Sequence, residues 1–469
     1  MKRRPVLLAL TLLASVSAPA SAQEAVETIS SSDTAWMLMS TALVLLMTPA
    51  LAFFYGGLVR SKNTLNTMMM SFIALGVAGV MWPIVGYSLA FGEGNAFIGD
   101  LSMVFLRDVG LEASGSIPHL LFFAFQGTFA IITVALISGA IVERMRFGAY
   151  LAFITIWGVV VYAPVTHWVW GGGWIGEMGA LDFAGGAVVH VNAGAAAVVA
   201  ALLLGARSDY GRQALLPHNV PFVLLGAGIL WFGWFGFNGG SALAANEIAV
   251  LAFVNTMLAP AATVVVWTAL DLSRTGKTTA VGVATGIVVG LVAITPAAGF
   301  VSPLFALAIG GLAAVPSHFA LVWRARTRLD DTLDVFAAHG LGGVSGALLT
   351  GVFAQESVNG VADGLLFGNV RQLSVQAFTV AVVFLYSGLM TFLILKGLSL
   401  VMPIRAVPRE ERLGLDIVSH GEEAYSSGEG ALLLMNDEVP TAFLDGSNED
   451  PDAEAGRLTA APVTRSFDA

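Results

Sequence analysis

The sequence of 469 residues contains no cysteine. This absence excludes disulfide bonds, thiolate metal sites and cysteine-based catalysis. Charged residues are scarce as well, at 12% of the chain, whereas hydrophobic residues make up 56%. Soluble domains contain about 25% charged residues. The composition therefore excludes an ordinary soluble domain and predicts that most of the chain lies in a lipid bilayer.

The acidic residues are concentrated at the C-terminal end. Residues 404–469 contain fourteen acids and five bases, a balance of −9 within a formal net charge of −10 for the whole chain. The rest of the chain is thus close to neutral. Residues 427–469 are poor in aromatic side chains and contain three prolines, so this acidic C-terminal extension is predicted to be disordered.

The N-terminus has the organisation of a secretory signal. Basic residues at positions 2–4 precede an apolar run over residues 6–16, and small residues follow at positions 20–22. This pattern predicts a signal peptide over residues 1–22 that is cleaved, which leaves the mature N-terminus outside. The alternative is an uncleaved membrane anchor, but the apolar run is short for a membrane span.

Eleven apolar stretches, separated by short polar gaps, follow the signal peptide. They cover residues 35–59, 64–92, 118–142, 148–169, 184–206, 219–241, 246–271, 279–297, 300–323, 335–354 and 373–403. Glycine and proline inside such stretches are tolerated where neighbouring helices satisfy the backbone. The pattern predicts an all-α polytopic membrane protein with eleven transmembrane helices, whose membrane domain covers residues 33–403.

Basic residues are concentrated in alternate gaps. One set of gaps carries Arg60, Lys62, Arg144, Arg146, Arg207, Arg212, Arg274, Lys277, Arg324, Arg326 and Arg328. The other gaps contain only Arg107 and Arg371. Basic residues favour the cytoplasmic side, so the first set is predicted to be cytoplasmic, in agreement with an external N-terminus. An odd number of spans then puts the C-terminal tail in the cytoplasm.

Two acid–histidine pairs recur at the same interval. Asp182 precedes His190, and Asp331 precedes His339, by eight residues in each case. Eight helical residues rise about 12 Å, so each histidine would lie near the middle of a membrane roughly 30 Å thick. The fifth and tenth spans enter from opposite sides in the predicted topology. The pairs therefore predict an inverted five-plus-five repeat with an extra eleventh helix, and ionisable groups at this depth are typical of transport proteins.

Several motifs resemble the ammonium transporter family (Amt/Mep/Rh), bacterial Amt type. They are Phe54-Tyr-Gly-Gly-Leu-Val-Arg60, Phe125-Gln-Gly-Thr-Phe129, His167-Trp-Val-Trp170-Gly-Gly-Gly, Asp182-Phe-Ala-Gly-Gly through His190-Val-Asn192, Gly233-Trp234-Phe-Gly-Phe237-Asn-Gly-Gly-Ser241, Thr295-Pro-Ala-Ala-Gly and His339-Gly. The resemblance covers about residues 33–425. It implies a homotrimer in the bacterial inner membrane, with a periplasmic N-terminus and a separate ammonium pore in each protomer. It implies no enzyme activity, no cofactor and no nucleic-acid partner.

The resemblance implies an outer ammonium site formed by Trp170, Phe129 and Ser241. A cation over an aromatic face gains about 0.5–2 kcal/mol, so such a site concentrates ammonium without trapping it. Phe129 and Phe237 correspond to a stacked pair that closes the pore below this site. Taken alone, Trp170 also fits an interfacial belt residue, and either phenylalanine fits core packing.

His190 and His339 correspond to the pore-lining histidines of the family. A neutral imidazole offers one donor and one acceptor, so the pair can pass hydrogen bonds to ammonia, relay a proton, or do both. A charge at the bilayer centre costs at least about 2.5–3.5 kcal/mol, which favours the neutral form. The alternative for a lone membrane histidine is a packing residue.

Asp182 has two interpretations. Its position before Gly185 and Gly186 suits a helix N-cap, whereas its charge suits direct binding of ammonium. We expect a mixed role, in which Asp182 orients the glycine-rich turn and helps deprotonation indirectly. Trp234 and Thr295 fall on family positions near the pore and are secondary candidates, because a membrane threonine often bonds its own backbone.

Neutral ammonia passage and ammonium uptake with a separately routed proton would use the same side chains. The family context favours the second, electrogenic mode, with Asp182, His190 and His339 on the proton route. An ammonium sensor is the alternative function. An intramembrane metal enzyme is weaker, because two histidines without clustered thiolates or carboxylates do not form a usual metal site.

Residues 404–426 are predicted to form an ordered cytoplasmic regulatory tail. The segment Gly414-Leu-Asp-Ile-Val-Ser-His420-Gly-Glu-Glu-Ala-Tyr425 resembles the family segment that packs under the trimer. The resemblance implies regulation by a PII signalling protein at the cytoplasmic face.

Overall fold

Helices account for nearly all regular structure in the computed structural model, which describes residues 28–425. The predicted signal peptide and the acidic extension lie outside the described residues. Within residues 28–425, the only paired strands are the short β1 (Ala113–Ser114) and β2 (Ile117–Pro118). The prediction of an all-α polytopic membrane protein is confirmed.

Between residues 28 and 425, ten helices are long and apolar enough to cross a membrane. They are α1 (Ser31–Leu58), α2 (Ser61–Phe91), α3 (His119–Ala140), α4 (Phe147–Glu177), α5 (Gly186–Leu204), α6 (Val220–Gly240), α7 (Glu247–Thr275), α9 (Pro303–Arg324), α10 (Phe336–Phe353) and α11 (Val370–Val401). The predicted span 279–297 is the shorter apolar helix α8 (Ala280–Ile294), of 15 residues. The number of eleven spans is therefore not confirmed.

The starts of several helices are fixed by side-chain caps. Asn219 accepts the backbone N–H of Phe222 at the start of α6, and Asn246 accepts that of Ala249 at the start of α7. Thr279 caps α8 in the same way. Each cap satisfies a backbone N–H group that has no partner within its own helix.

Helix packing repeats between the two halves of the membrane domain. The contacts α1–α2, α1–α3 and α2–α4 recur as α6–α7, α6–α8 and α7–α9. The short helix α8 thus takes the position that α3 has in the first half. Helices α1 and α6 pack on each other, and α5 packs on α10. This correspondence fits the predicted five-plus-five arrangement, with α11 as the extra helix.

In the described part of the chain, four membrane helices contain a π-helical turn. These turns are Trp82–Gly86, Gly158–Tyr162, Gly186–Val191 and Phe336–Gly340. Two of them carry His190 and His339. A π-turn shifts the side chains that follow it around the helix axis and is frequent at functional sites. The turn is therefore part of how α5 and α10 aim their histidines.

Two short helices, α12 (Pro408–Leu413) and α13 (Leu415–His420), follow α11. They lie against the end of the bundle that carries most of the basic residues. The Asp416 carboxylate accepts the backbone N–H groups of Leu65 and Asn66 at the start of α2. The segment 404–425 is thus held by the membrane domain.

Candidate functional site

His190 and His339 lie in contact at the centre of the molecule. Their Nδ1 atoms are 3.3 Å apart, and their ring centroids are 5.3 Å apart with planes inclined by 27°. Their exposed fractions are only 1% and 3%. In a shared hydrogen bond one Nδ1 donates and the other accepts, so each ring fixes the tautomer of the other. The Nε2 atom of His190 has no hydrogen-bond partner within the described residues.

Glycines allow the two histidine helices to approach. A Cβ atom on Gly194 would collide with the backbone of Gly340, and one on Gly343 would lie 3.1 Å from the Cβ of His190. Gly194 and Gly343 each follow a pore histidine by four residues, which is one helical turn. The close crossing of α5 and α10 thus depends on the lack of side chains at these positions.

The Asp182 carboxylate caps the start of α5. One oxygen accepts the N–H groups of Gly185 and Gly186, and the other accepts those of Ala187 and Val188, at 2.9 and 3.0 Å. Gly185 has φ +110°, which favours glycine at this turn. Burial raises the pKa of Asp182 to about 6, although these four donors lower it. The geometry supports the capping part of the predicted mixed role, because both oxygens are engaged by the backbone.

Asp331 has the same role in the second half. Its carboxylate accepts the N–H groups of Val335 and Phe336, at 3.1 and 2.7 Å, at the start of α10. The equal spacing of the two acid–histidine pairs therefore reflects the same capped turn in both halves. In each half, an aspartate caps a π-turn that carries the histidine.

The three residues predicted for the outer site line one cavity. The rings of Phe129 and Trp170 meet edge to face at 5.9 Å, and Ser241 lies on the same cavity wall. The hydroxyl of Ser241 donates to the carbonyl of Phe237 at 2.8 Å, so its oxygen is left to accept hydrogen bonds. The indole N–H of Trp170 donates to the Asp182 carbonyl at 2.8 Å, which joins this cavity to the α5 cap.

Phe129 and Phe237 close the floor of the outer cavity. Their centroids are 4.3 Å apart, their planes are inclined by 32°, and both side chains are fully buried. Phe237 is also stacked against His190 at 6.1 Å. An unbroken series of rings thus leads from Trp170 to the histidine pair.

Below the phenylalanines lies an enclosed and almost entirely apolar cavity. Its walls are formed by Met47, Leu51, Phe54, Ile132, Leu136, Val189, His190, Leu230, Trp234, Phe237, Val288 and His339. Among the described residues on these walls, the polar N–H and N groups belong to two imidazoles and one indole. A bare ion would lose its hydration here without replacement, which costs tens of kcal/mol in an apolar medium.

Trp234 and Thr295 support the histidine pair from the side. Trp234 stacks on His190 with centroids 5.4 Å apart, and its N–H donates to the Thr295 hydroxyl at 2.9 Å. That hydroxyl in turn donates to its own backbone, at the Leu291 carbonyl. Thr295 therefore makes the expected backbone bond and also orients Trp234.

A buried charge cluster, which no sequence motif predicted, lies at the other end of the bundle. Arg207 pairs with Glu143 at 2.7 Å and with Asp330 at 2.8 Å, and Arg60 pairs with Glu143 at 3.1 Å. Burial would raise the pKa of Glu143, but the charges of Arg207 and Arg60 outweigh burial and lower it to about 2. Only the arginines were visible beforehand, as part of the basic gaps.

Comparison with known proteins places these features in context. Residues 35–425 match the sequence profile of the Ammonium Transporter Family. The chain is 48% identical to an ammonium transporter of Bacillus subtilis over 400 residues, which cover 84% of this chain and 98% of the relative. An ammonium transporter of Aquifex aeolicus is 50% identical over 400 residues, with 84% and 93% covered.

Solved structures share the fold as well. Mep2 of Candida albicans is 37% identical, with a TM-score of 0.78, over 81% of this chain and 88% of that chain. A protein described as a Sensor Amt Protein is 32% identical, with a TM-score of 0.78, over 83% of this chain and 98% of that chain.

Proposed function

Because the chain belongs to the ammonium transporter family, we propose a specific route for the ammonium that it carries. The family is one of membrane transporters and not of enzymes. In the proposed route, ammonium is recruited at Trp170, Phe129 and Ser241, loses a proton, and crosses as ammonia past His190 and His339. The observation that carries the proposal is the unbroken series of rings from Trp170 to the histidine pair.

Recruitment rests on a neutral site. The face of an indole attracts a cation by about 0.5–2 kcal/mol, and the Ser241 oxygen can only accept from a substrate N–H. No carboxylate lines this cavity within the described part of the chain. The site therefore raises the local concentration of ammonium and still releases it readily.

Deprotonation accounts for selectivity against alkali ions. The phenylalanine pair and the apolar cavity below it offer no ligands to replace the water of a potassium ion. Ammonium can leave its proton behind and continue as a small neutral molecule, whereas potassium cannot. The Nε2 of His190 then offers a hydrogen-bonding position inside an otherwise apolar cavity.

We propose that the proton follows its own route, so that net transport is electrogenic. The shared hydrogen bond between His190 and His339 gives a proton a path along the pair. Asp182 lies beside the outer site through the Trp170 indole N–H and holds α5 in place. Its part is indirect, because its oxygens already accept four backbone N–H groups.

Current measurements test this route. Purified protein in liposomes on a solid-supported membrane receives an ammonium jump, with a potassium jump of equal size as control. We expect a current with ammonium only, and we expect Asp182→Ala to abolish it. Rapid internal alkalinisation without current would show passage of neutral ammonia and overturn the electrogenic step.

A sensor is the second candidate, and the likeness to a Sensor Amt Protein favours it. A sensor would bind ammonium at the outer site without net flux. Neither current nor alkalinisation in the same experiment, together with ammonium binding by calorimetry, would identify this function.

We further propose a homotrimer in the bacterial inner membrane, with a periplasmic N-terminus, a cytoplasmic tail and a PII protein as partner. The arrangement of basic residues supports the orientation. The docked segment 404–425 and the adjoining groove lined by Lys62, Leu413 and Tyr425 offer a surface for a cytoplasmic partner. Native mass spectrometry tests the trimer, and a pull-down with the PII protein of the same organism tests the partner.

A further inference from the structure

A further cavity lies on the far side of the histidine pair and extends toward the end of the bundle that carries most of the basic residues. His339 forms part of its wall, which is mostly apolar. Three other parts of the chain complete the wall, through Leu215 and Pro217 after α5, Val281 and Thr285 in α8, and Leu321 and Arg324 in α9. In the proposed route, ammonia that has passed His339 enters this inner cavity.

Exposed basic side chains follow the lining residues of the inner cavity closely in the sequence. A base lies two to four positions from Leu215, from Val281 and from Arg324. These bases, called the basic rim below, are Arg212, Lys277, Arg326 and Arg328. Ion pairs within the described residues are formed by other arginines, so the charge of the basic rim is not balanced there.

The described chain ends beside the inner cavity. The hydroxyl of Tyr425 lies 2.9 Å from Nε2 of His218, and Nδ1 of the same ring lies 2.9 Å from the Val59 carbonyl. In a neutral ring Nδ1 therefore donates to this carbonyl, and Nε2 accepts from the tyrosine. His218 directly follows the lining residue Pro217. The chain beyond Tyr425 thus starts next to the wall of the inner cavity.

The sequence that follows Tyr425 complements this surface. Residues 426–469 contain nine acids and two bases, a balance of −7. Within them, residues 431–435 form the apolar run Ala-Leu-Leu-Leu-Met, and Asp437 and Glu438 come shortly after it. Six residues span up to about 20 Å, so the apolar run can reach the inner cavity from Tyr425. The apolar run matches the apolar lining, and the two acids match the basic rim.

We propose that residues 431–438 dock on the inner cavity of their own chain, with the apolar run over the lining and Asp437 and Glu438 against the basic rim. The docked segment covers the exit and lowers the rate of ammonium transport. This inference rests on the proposed function, because the inner cavity is the exit of the proposed route. Salt screens exposed charges beyond about 8 Å at physiological ionic strength, so docking weakens as the salt concentration rises.

Disulfide trapping tests the contact without a transport measurement. The chain has no cysteine, so a double variant with Asp437→Cys and Arg328→Cys contains one possible pair per chain. We expect copper-phenanthroline to join this pair within one chain at least about tenfold faster than the control pair Asp450→Cys and Arg328→Cys. Equal rates would indicate random collisions, and a disulfide between two chains would assign the segment to a neighbouring protomer. Either result overturns the proposal.

Ammonium-evoked currents of the full-length protein in liposomes test the inhibition. Deletion of residues 427–469 and the double reversal Asp437→Lys, Glu438→Lys should each raise the maximal current at least about twofold, because a segment docked for half of the time or more closes the exit for that fraction. KM should not change, because the outer site sets it. The matched control Glu449→Gln, Asp450→Asn also removes two charges from the extension and should keep the parental current.

Charge exchange identifies the docking surface. Arg326→Glu with Arg328→Glu should raise the current as the deletion does, and the combination with Asp437→Lys and Glu438→Lys should restore the parental level. A combined variant that stays at the raised level refutes the assigned surface. Should the rim variant not fold, as judged by size-exclusion chromatography, the disulfide pair still decides where the segment lies.

The remaining outcomes separate this inference from the proposed route. If the deletion changes nothing and only added PII protein lowers the current, the surface belongs to that partner and the inference is refuted. A parent protein and a deletion variant that both lack an ammonium current would overturn the proposed route and the inhibition together. Absence of current in the parent protein alone would instead support complete closure by the extension.

Discussion

Substitution of one pore histidine tests the proposed proton route directly. The two rings are joined by one hydrogen bond, between their Nδ1 atoms, and a proton that moves along the pair would use this bond. In His339→Ala this shared bond is lost. We therefore expect the maximal ammonium current to fall by at least about tenfold, whereas KM changes little because the outer site is intact. A concentration series of currents separates the two parameters. A rise in KM with an unchanged maximum would contradict the assignment.

Asp182 predicts a defined pH dependence. Burial raises its pKa from the ordinary value of 3.8 to about 6, so the carboxylate takes up its proton at a higher pH than an exposed aspartate does. The protonated form offers fewer acceptors to the α5 cap. We therefore expect the current to be complete above about pH 7 and to fall as the pH drops through about 6. Ammonium remains the protonated species across this range, so substrate supply does not cause the loss.

The matched variant for this pH profile is Asp182→Asn. Its amide keeps one acceptor oxygen but does not titrate, so the current should be lower than in the parent protein and nearly independent of pH between about 5 and about 7. A fall at the same pH in Asp182→Asn would assign the titration to another group.

The residues of the site were predictable where a motif or a repeated interval marked them. The structure brings together Trp170, Phe129 and Ser241 in one place, and His190 and His339 in another, as the motifs and the repeat implied. Nothing in the sequence indicated that Glu143 pairs with Arg60 and Arg207. These partners are 83 and 64 residues away from Glu143 in the chain, so only the three-dimensional arrangement reveals the pairs.

At the scale of the helix, the crossing of α5 and α10 predicts the effect of one added methyl group. Gly194→Ala would bring a Cβ into the backbone of Gly340, which cannot move aside as a side-chain tip can. We expect the free energy of unfolding to fall by about 1–3 kcal/mol and the melting temperature to fall with it. We also expect loss of current, because the two histidines are pushed apart. Thermal unfolding followed by fluorescence measures the first effect.

Gly397→Ala is the matched control for Gly194→Ala. Gly397 also lies within a membrane helix, α11, but a Cβ there meets no atom within 4 Å. Its melting temperature and its current should equal those of the parent protein or slightly exceed them, because alanine favours helix. Equal losses in both variants would show that alanine acts through some cause other than the helix crossing.

The helices were predicted well because membrane spans are long apolar runs. The exception is α8, which is only 15 residues long although the apolar run covered 279–297. After Ile294 the chain continues in turns through Thr295 and Pro296, where apolar composition no longer means helix. The π-turns in α5 and α10 were equally invisible, because a π-turn adds no distinctive residue type.

At the scale of the whole molecule, buried charges join the tail to the helix that carries His190. Glu411 accepts from the backbone and hydroxyl of Ser208 and pairs with Arg405 at 2.7 Å. Arg405 also donates to the carbonyl of Leu204, the last residue of α5. The position of the tail and the end of α5 are therefore set by one group of contacts.

This arrangement predicts that Glu411→Ala releases the tail, whereas Glu410→Ala does not. Glu411 is 3% exposed, and its loss removes hydrogen bonds worth about 1.5–3 kcal/mol each from Ser208 and Arg405. Glu410 pairs with Arg146 near the surface, where an ion pair contributes about 0–1 kcal/mol. We expect trypsin to cleave residues 404–425 of the purified Glu411→Ala variant at least about tenfold faster than those of the parent protein.

The same comparison tests whether tail and pore communicate. If α5 is held from its far end by Arg405, freeing the tail should lower the maximal ammonium current and leave KM, which the outer site sets, unchanged. Glu410→Ala, with its tail docked, should match the parent protein in both measurements. Faster cleavage of Glu411→Ala without any change in current would mean that the tail is anchored to α5 but does not influence the pore.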